Sequence, residues 1–230
     1  MKTTEHNGIK FIARRETSDM KTFEEVVVRD VYQKKGNKIR KGEHWIDCGG
    51  NVGAFALLAC SKGARVTVYE PDPYNCKMIE KNLKLNNFEA DIVCAGLVHN
   101  ETKRAKLYVG NNGNVWRNSM FKNWNGKGLK VDCVNFDEVV PDGACVKMDI
   151  EGAEMPILES TTRKFKKLVF EWSFDIDPSL PRFWNVMDKL SEQYKIASIG
   201  NTARIKTRDY DTWQKSWFPA CTNVFCHAKD

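Results

Sequence analysis

The sequence predicts an α/β fold: a mostly parallel sheet of seven strands with helices on both faces and an antiparallel last strand. Three observations carry this expectation. Asp47-Cys48-Gly49-Gly50-Asn51-Val52-Gly53 follows the apolar pair Trp45-Ile46 and precedes a helical run from Val52 to Cys60, so a strand, a glycine turn and a helix succeed one another. One helix later, Val66, Val68 and Tyr69 make a second strand-like run that ends on Glu70-Pro71. Strand-like and helix-like segments then keep alternating, the pattern of a parallel sheet with right-handed crossovers.

Taken in chain order, residues 22–33 predict a helix leading to a basic turn over 34–43. Asn51 opens a helix whose Val52, Phe55, Ala56 and Ala59 fall at core spacing. The helix after Pro73 sets Tyr74, Met78, Ile79 and Leu83 on one side and stops near Asn86-Asn87. Residues 91–98 read as a third strand, 104–109 as a further short one, 145–149 as the fourth and 167–174 as the fifth. Phe183, Trp184, Met187 and Leu190 recur as a helical stripe, and 194–199 with 222–227 read as a closing antiparallel pair. The stretch from Gly110 to Gly128 inclusive holds four Gly and six Asn together with Trp116, Phe121 and Trp124. So long a turn-rich loop is either a connector packed by its aromatics or a lid and acceptor platform. No repeat or linker is visible. The expected organisation is an N-terminal extension (1–40) packed on one domain (41–230).

Composition bounds the function. With 230 residues, 42% hydrophobic and 29% charged, the chain can build one full α/β core. No apolar run approaches a membrane span and no apolar signal region follows Met1, so a cytoplasmic location is expected. The eight cysteines form no C-x-x-C and the four histidines no zinc-ligand spacing, which predicts reduced thiols. The net charge is +6, with basic clusters at Lys34, Lys35, Lys38, Arg40 and Lys41, at Arg163, Lys164, Lys166 and Lys167, and at Arg204, Lys206 and Arg208. These are solvated surface or a footprint for an anionic partner such as nucleic acid.

The glycine loop can bring backbone close to a ligand and present a helix N-terminus to it. Glu70 stands 23 residues after Asp47, where an acid ending the second strand can accept hydrogen bonds from a ribose diol. A dinucleotide loop would read G-x-G-x-x-G. Here an acid precedes the first glycine and Asn51 replaces another, which suits the ammonium and sulfonium of S-adenosylmethionine better than a pyrophosphate.

At this point the chain resembles a class I S-adenosylmethionine-dependent methyltransferase, with its Rossmann-like sheet, and more narrowly the FkbM family. The resemblance rests on WIDCGGNVG (45–53), VYEPDPYNCKMIEKNLKLNN (68–87), VKMDIEGAEMPIL (146–158) and LVFEWS (168–173). It implies cofactor contacts at Asp47, Gly49, Gly50, Asn51, Gly53, Glu70, Pro71, Ala95 and Asp149. It also implies a hydroxyl acceptor on a carbohydrate or glycosylated metabolite.

Carboxylates at strand ends supply the chemistry. Asp149 ends the fourth strand and is the first candidate for a base that takes the acceptor's proton. Glu151 and Glu171 are candidates beside it; Glu151 and Glu154 could instead complement a helix dipole, and Glu171 could pair with Lys147. Converging acids also suit Mg²⁺ or Ca²⁺, a possibility but not the favoured reading. His99 is a more distant candidate base. An RNA ribose 2′-O-methyltransferase is the main alternative, its tetrad drawn from Asp149, Glu171, Lys41 and Lys166 or Lys167. Base-directed methylation is disfavoured, since Asp149-Ile150-Glu151-Gly152 stands where a D/N-P-P-aromatic element would be and no Pro-Cys segment occurs. A non-catalytic cofactor-binding protein and an NAD-dependent enzyme are the remaining readings.

Overall fold

A computed structural model describes residues 1–34, 36–110, 117–123, 128–199 and 221–229. The chain opens with strands β1 (Lys2–His6) and β2 (Ile9–Ala13), helix α1 (Asp19–Phe23) and a π-helical turn at Glu24–Val28. Then come β3 (His44–Cys48), α2 (Ala54–Ser61), β4 (Arg65–Tyr69), α3 (Pro73–Leu85), β5 (Asp91–Val93), β6 (Gly96–Val98), β7 (Arg104–Tyr108), β8 (Gly128–Asn135) and α4 (Phe136–Val139). The last part holds β9 (Cys145–Met148), α5 (Glu154–Ser160), β10 (Lys167–Ser173), α6 (Leu180–Gln193), β11 (Tyr194–Ile199) and β12 (Cys221–Ala228).

Seven strands form one sheet in the order β11-β12-β10-β9-β3-β4-β5. The five inner-to-outer strands β10, β9, β3, β4 and β5 are parallel, and β12 runs antiparallel to both β10 and β11. The expected seven-stranded, mostly parallel sheet with an antiparallel last strand is therefore present. Period-two alternation divides its side chains between two cores. Ile46, Val146, Leu168, Phe170 and Trp172 face α5 and α6, where Trp172 stacks on Phe183 with ring centroids 4.0 Å apart. Trp45, Val66, Val68 and Val169 face the N-terminal segment, α2 and α3. Asp47, Lys147 and Glu171 have the parity of this second face.

Several boundaries differ from the sequence reading. The helix expected over 22–33 is shorter and begins earlier, because Asp19 is tied by Arg14 and the chain tightens into the π-helical turn. The strand expected over 91–98 breaks at Cys94-Ala95: β5 stays in the main sheet, while β6 joins a second sheet of order β6-β8-β7. Neither β8 nor the β1–β2 hairpin was anticipated. The hairpin had a signal, since Asn7-Gly8 supplies two consecutive positive φ angles, 48° and 79°. The open edge of β2 is satisfied by two side chains one turn apart, Asn82 on α3 and Asn86 at its C-cap. Asn82 bonds the N–H and C=O of Ile12, and Asn86 does the same for Lys10.

Candidate functional site

The chain leaves β3 toward β4 and β5, then returns on the other side to β9 and β10. A crevice opens at that switch, outside the carboxyl ends of the strands. It is a cavity of about 460 Å³, lined by Gly49, Gly50, Asn51, Glu70, Pro71, Asp149, Glu151 and Glu171 among others. Of the remaining residues expected there, Asp47, Gly53 and Ala95 are buried and do not line it. Phe121 lies at the site's rim, and Trp116 and Trp124 lie outside the described residues.

Asp47 is fully buried, with Lys147 Nζ 3.1 Å from its Oδ1. Lys147 also donates to the carbonyls of Cys48 (3.3 Å) and Gly49 (2.8 Å), so it ties the end of β3 to β9. Burial acts to lower the Lys147 ammonium, but Asp47 and then Asp149 outweigh it and hold it above its ordinary value. Lys147 thus pairs with Asp47, not with Glu171. Gly49 has φ +81°, and a Cβ there would fall 1.9 Å from the Asp149 carbonyl, so the loop can pass under the end of β9 only as glycine.

Glu70 ends β4 with its carboxylate already held. Its Oε2 accepts from the Asn51 N–H at 2.7 Å, and its Oε1 accepts from the N–H of Asp72 (2.9 Å) and from Asn75 Nδ2 (3.3 Å). Burial nonetheless lifts its carboxyl to about 7, against those hydrogen bonds.

At the other wall, carboxylate oxygens of Asp149, Glu151 and Glu171 all lie within 4.8 Å of one another. The Tyr32 hydroxyl donates to Asp149 Oδ2 at 2.7 Å, and Lys147 Nζ stands 4.0 Å from that oxygen. Burial, then the neighbouring acids, lift Glu151 to about 9 and Glu171 to about 8. Close carboxylates that leave water cannot all ionise at neutral pH. Cys221 and Asn223 of β12 and Ser173 of β10 add polar groups to the lining.

The loop bearing Asp149 and Glu151 is shaped from behind. Glu154 is buried, and its carboxylate accepts from the N–H groups of Ile150 (2.6 Å) and Gly152 (2.8 Å). A strap over residues 117–123 crosses the mouth. Asn118 Nδ2 donates to Asp72 Oδ2 at 3.0 Å, Ser119 Oγ donates to the Glu151 carbonyl at 2.5 Å, and Arg117 pairs with Asp175. Met120 covers Gly96, while half-exposed Phe121 sits against Gly152.

Sequence reasoning missed Tyr32, Arg117, Asn118, Ser173 and Asn223, all of which line the cavity. Tyr32 stands 117 residues from Asp149, and no local spacing links the two. The lysines considered for an RNA-modifying tetrad are elsewhere. Lys167 Nζ donates to Glu43 Oε1 at 2.7 Å and Lys166 Nζ lies 3.3 Å from the same oxygen, at the amino end of β10. Glu171 is four residues further along that strand, about 13 Å away. Lys41 precedes β3 and packs beside Gly63.

Over residues 47–195 the sequence matches the methyltransferase FkbM domain. A search of curated protein sequences found no match. Among solved structures, the Pyrococcus abyssi tRNA (uracil-54, C5)-methyltransferase in complex with S-adenosyl-L-homocysteine superposes with a TM-score of 0.51 at 14% identity, over 98% of this chain and 44% of that one. The M. jannaschii tRNA m1G37 methyltransferase gives 0.50 at 11% identity, over 99% and 56%. The chain spans about half the length of these two proteins, and a likeness at such identity is one of fold. The family match runs over the strands, the glycine loop and the Asp149–Glu154 segment that wall the cavity, and on it the chain belongs to the FkbM family of methyltransferases, with S-adenosylmethionine as its cofactor.

Proposed function

We propose that this protein transfers a methyl group from S-adenosylmethionine to a hydroxyl of a carbohydrate or glycosylated small molecule. The observation that carries the reading is the cluster of Asp149, Glu151 and Glu171 at the cavity wall. Carboxyl groups accept hydrogen bonds from several hydroxyls of a neutral polyol, and those that keep their proton donate to them as well. The tRNA activity of the two structural neighbours is theirs; for this chain, the lysines that RNA would need stand at the opposite edge of the sheet. Phe121, half-exposed beside Gly152, offers an aromatic face to a sugar ring.

The cavity fits the cofactor on three counts. Its volume is that of a small-molecule site, Glu70 offers a carboxylate for a ribose diol beside the Asn51 N–H, and Tyr69, Leu97 and Phe55 give apolar lining. We assign Gly49, Gly50, Asn51, Glu70 and Pro71 to hold it, with Asp47, Gly53 and Ala95 supporting the loop from behind. The bound cofactor supplies an electrophilic methyl group. The protein's own part is to align the acceptor oxygen, exclude water and take the hydroxyl proton. Asp149 takes that proton. Glu151 and Glu171, both held protonated at neutral pH, orient the acceptor's other hydroxyls. The strap closes the mouth, and residues 1–40 belong to the same working unit.

Calorimetric titration with S-adenosylhomocysteine, alongside Glu70→Ala, tests the cofactor half. Micromolar binding in the wild type and at least about tenfold weaker binding in the variant are expected. A screen with labelled cofactor against sugars first and capped RNA second tests the acceptor half. Transfer to RNA and to no sugar would replace this reading with the ribose 2′-O alternative.

A further inference from the structure

We infer that Tyr32 is a positioning residue for methyl transfer, supplied to the site by the N-terminal segment that precedes the family-matching region. The inference rests on the proposed function and deepens it. The family match begins at residue 47, yet Val26, Arg29 and Tyr32 line the same cavity as Asp149. Tyr32 is buried, with its ring edge-on to Phe55 at 5.8 Å and Lys147 Nζ 5.5 Å from its centroid. Its hydroxyl reaches Asp149 Oδ2 at 2.7 Å. A phenol in this position acts as a donor: burial first, then Asp149 and Glu171, push its ionisation well above the ordinary tyrosine value.

The consequence for Asp149 is geometric. One carboxylate oxygen is committed to Tyr32, which fixes the plane of the group and leaves the other oxygen to take the acceptor's proton. Around it stand Lys147 and Asp47 from β9 and β3, Glu151 and Glu154 from the following loop and helix, and Glu171 from β10. Lys147 is the cation in that set, and its closest carboxylate contact is Asp47, at 3.1 Å against 4.0 Å for Asp149. Tyr32 therefore supplies the short hydrogen bond that holds Asp149 in one orientation.

Tyr32→Phe keeps the ring and its contact with Phe55 and removes only the hydroxyl. In the intact chain we expect S-adenosylhomocysteine affinity and acceptor KM to change less than about threefold. We expect kcat to fall between about 10- and 100-fold, a loss confined to kcat that a merely structural role would not give. Asp149→Ala sets the background, since an Asn there would keep an acceptor oxygen for the Tyr32 hydroxyl: adding Tyr32→Phe to it should lower kcat little further. The same four proteins give a urea-midpoint cycle that reads the contact without any activity. Additive urea midpoints, or a Tyr32→Phe enzyme with wild-type kcat, overturn the inference. A wild type that binds S-adenosylhomocysteine and methylates no acceptor fails the proposed function instead, and the urea cycle still reads the hydrogen bond on its own.

Discussion

Glu154 illustrates how one side chain can shape a site it does not enter. Its two carboxylate oxygens meet two N–H groups of the loop that carries Asp149 and Glu151, and burial lifts the carboxyl to about 7 against those bonds. An acid at a helix start was expected to serve the helix dipole; here it serves the turn before the helix. Glu151 itself has φ +52° and Gly152 has φ +113°, so this turn holds an unusual backbone path that needs support. Glu154→Ala would leave two buried donors unpaired and should cost about 2 kcal/mol or more of stability. Glu154→Gln, which keeps one acceptor oxygen, should cost less. Urea midpoints measure both, and two variants within about 0.5 kcal/mol of wild type would rule out the clamp.

At the scale of elements, the β6-β8-β7 sheet and the strap over 117–123 lie between β5 and β9 in the chain. Ser119 is the strap's pivot. It is fully buried, donates to the Glu151 carbonyl, and accepts from the N–H groups of Phe121 (3.0 Å) and Lys122 (3.1 Å). Ser119→Ala removes all three bonds while the Tyr108–Ser119 backbone bridge remains. The amides of Phe121 and Lys122 should then exchange at least about tenfold faster in hydrogen-exchange mass spectrometry. Acceptor KM should rise while S-adenosylhomocysteine affinity holds. Unchanged exchange would mean the strap is held by its other contacts, those of Arg117, Asn118 and Lys122 among them.

At the scale of the whole molecule, among the described residues, the exposed basic clusters and the acid cluster lie at opposite ends of the strands, although Arg29, Arg117 and Lys147 also line the cavity. The third basic cluster, Arg204, Lys206 and Arg208, lies outside the described residues. Lys38, Arg40, Lys41, Lys164 and Lys166 are exposed around the amino end, and the acids converge at the carboxyl end. Among the described residues no helix is long and apolar enough to cross a membrane. The buried acids set a pH dependence. Glu70 and Glu154 are held up to about 7, Glu171 to about 8 and Glu151 to about 9. In the unfolded chain such groups titrate near about 4.3. Between those values the unfolded chain has released protons that the folded chain still binds, so stability falls as pH rises from about 4.5 to about 9. Glu43 and Asp137, whose carboxyls are lowered, act below that window. The urea midpoint should therefore be higher at pH 5.5 than at pH 9, and Glu171→Gln should recover part of the difference. A midpoint that climbs over this range would contradict the assignment.

The repeating strand-to-helix pattern, the glycine loop and Glu70 were legible in the sequence because they are local. Periodicity of two or 3.6 residues, a turn that only glycine allows, and an acid at the end of a strand each lie within one short window. So do Asp149 and Glu151, which share the loop after β9, and Glu171, which stands near the carboxyl end of β10. Tertiary structure alone decided which of these groups meet. It paired Lys147 with Asp47, brought three acids within 4.8 Å, moved Lys166 and Lys167 to the far edge, and seated Tyr32 on Asp149. Contacts between residues a hundred positions apart depend on strand order and on which face each side chain takes, and a change of one residue in register would reverse that face.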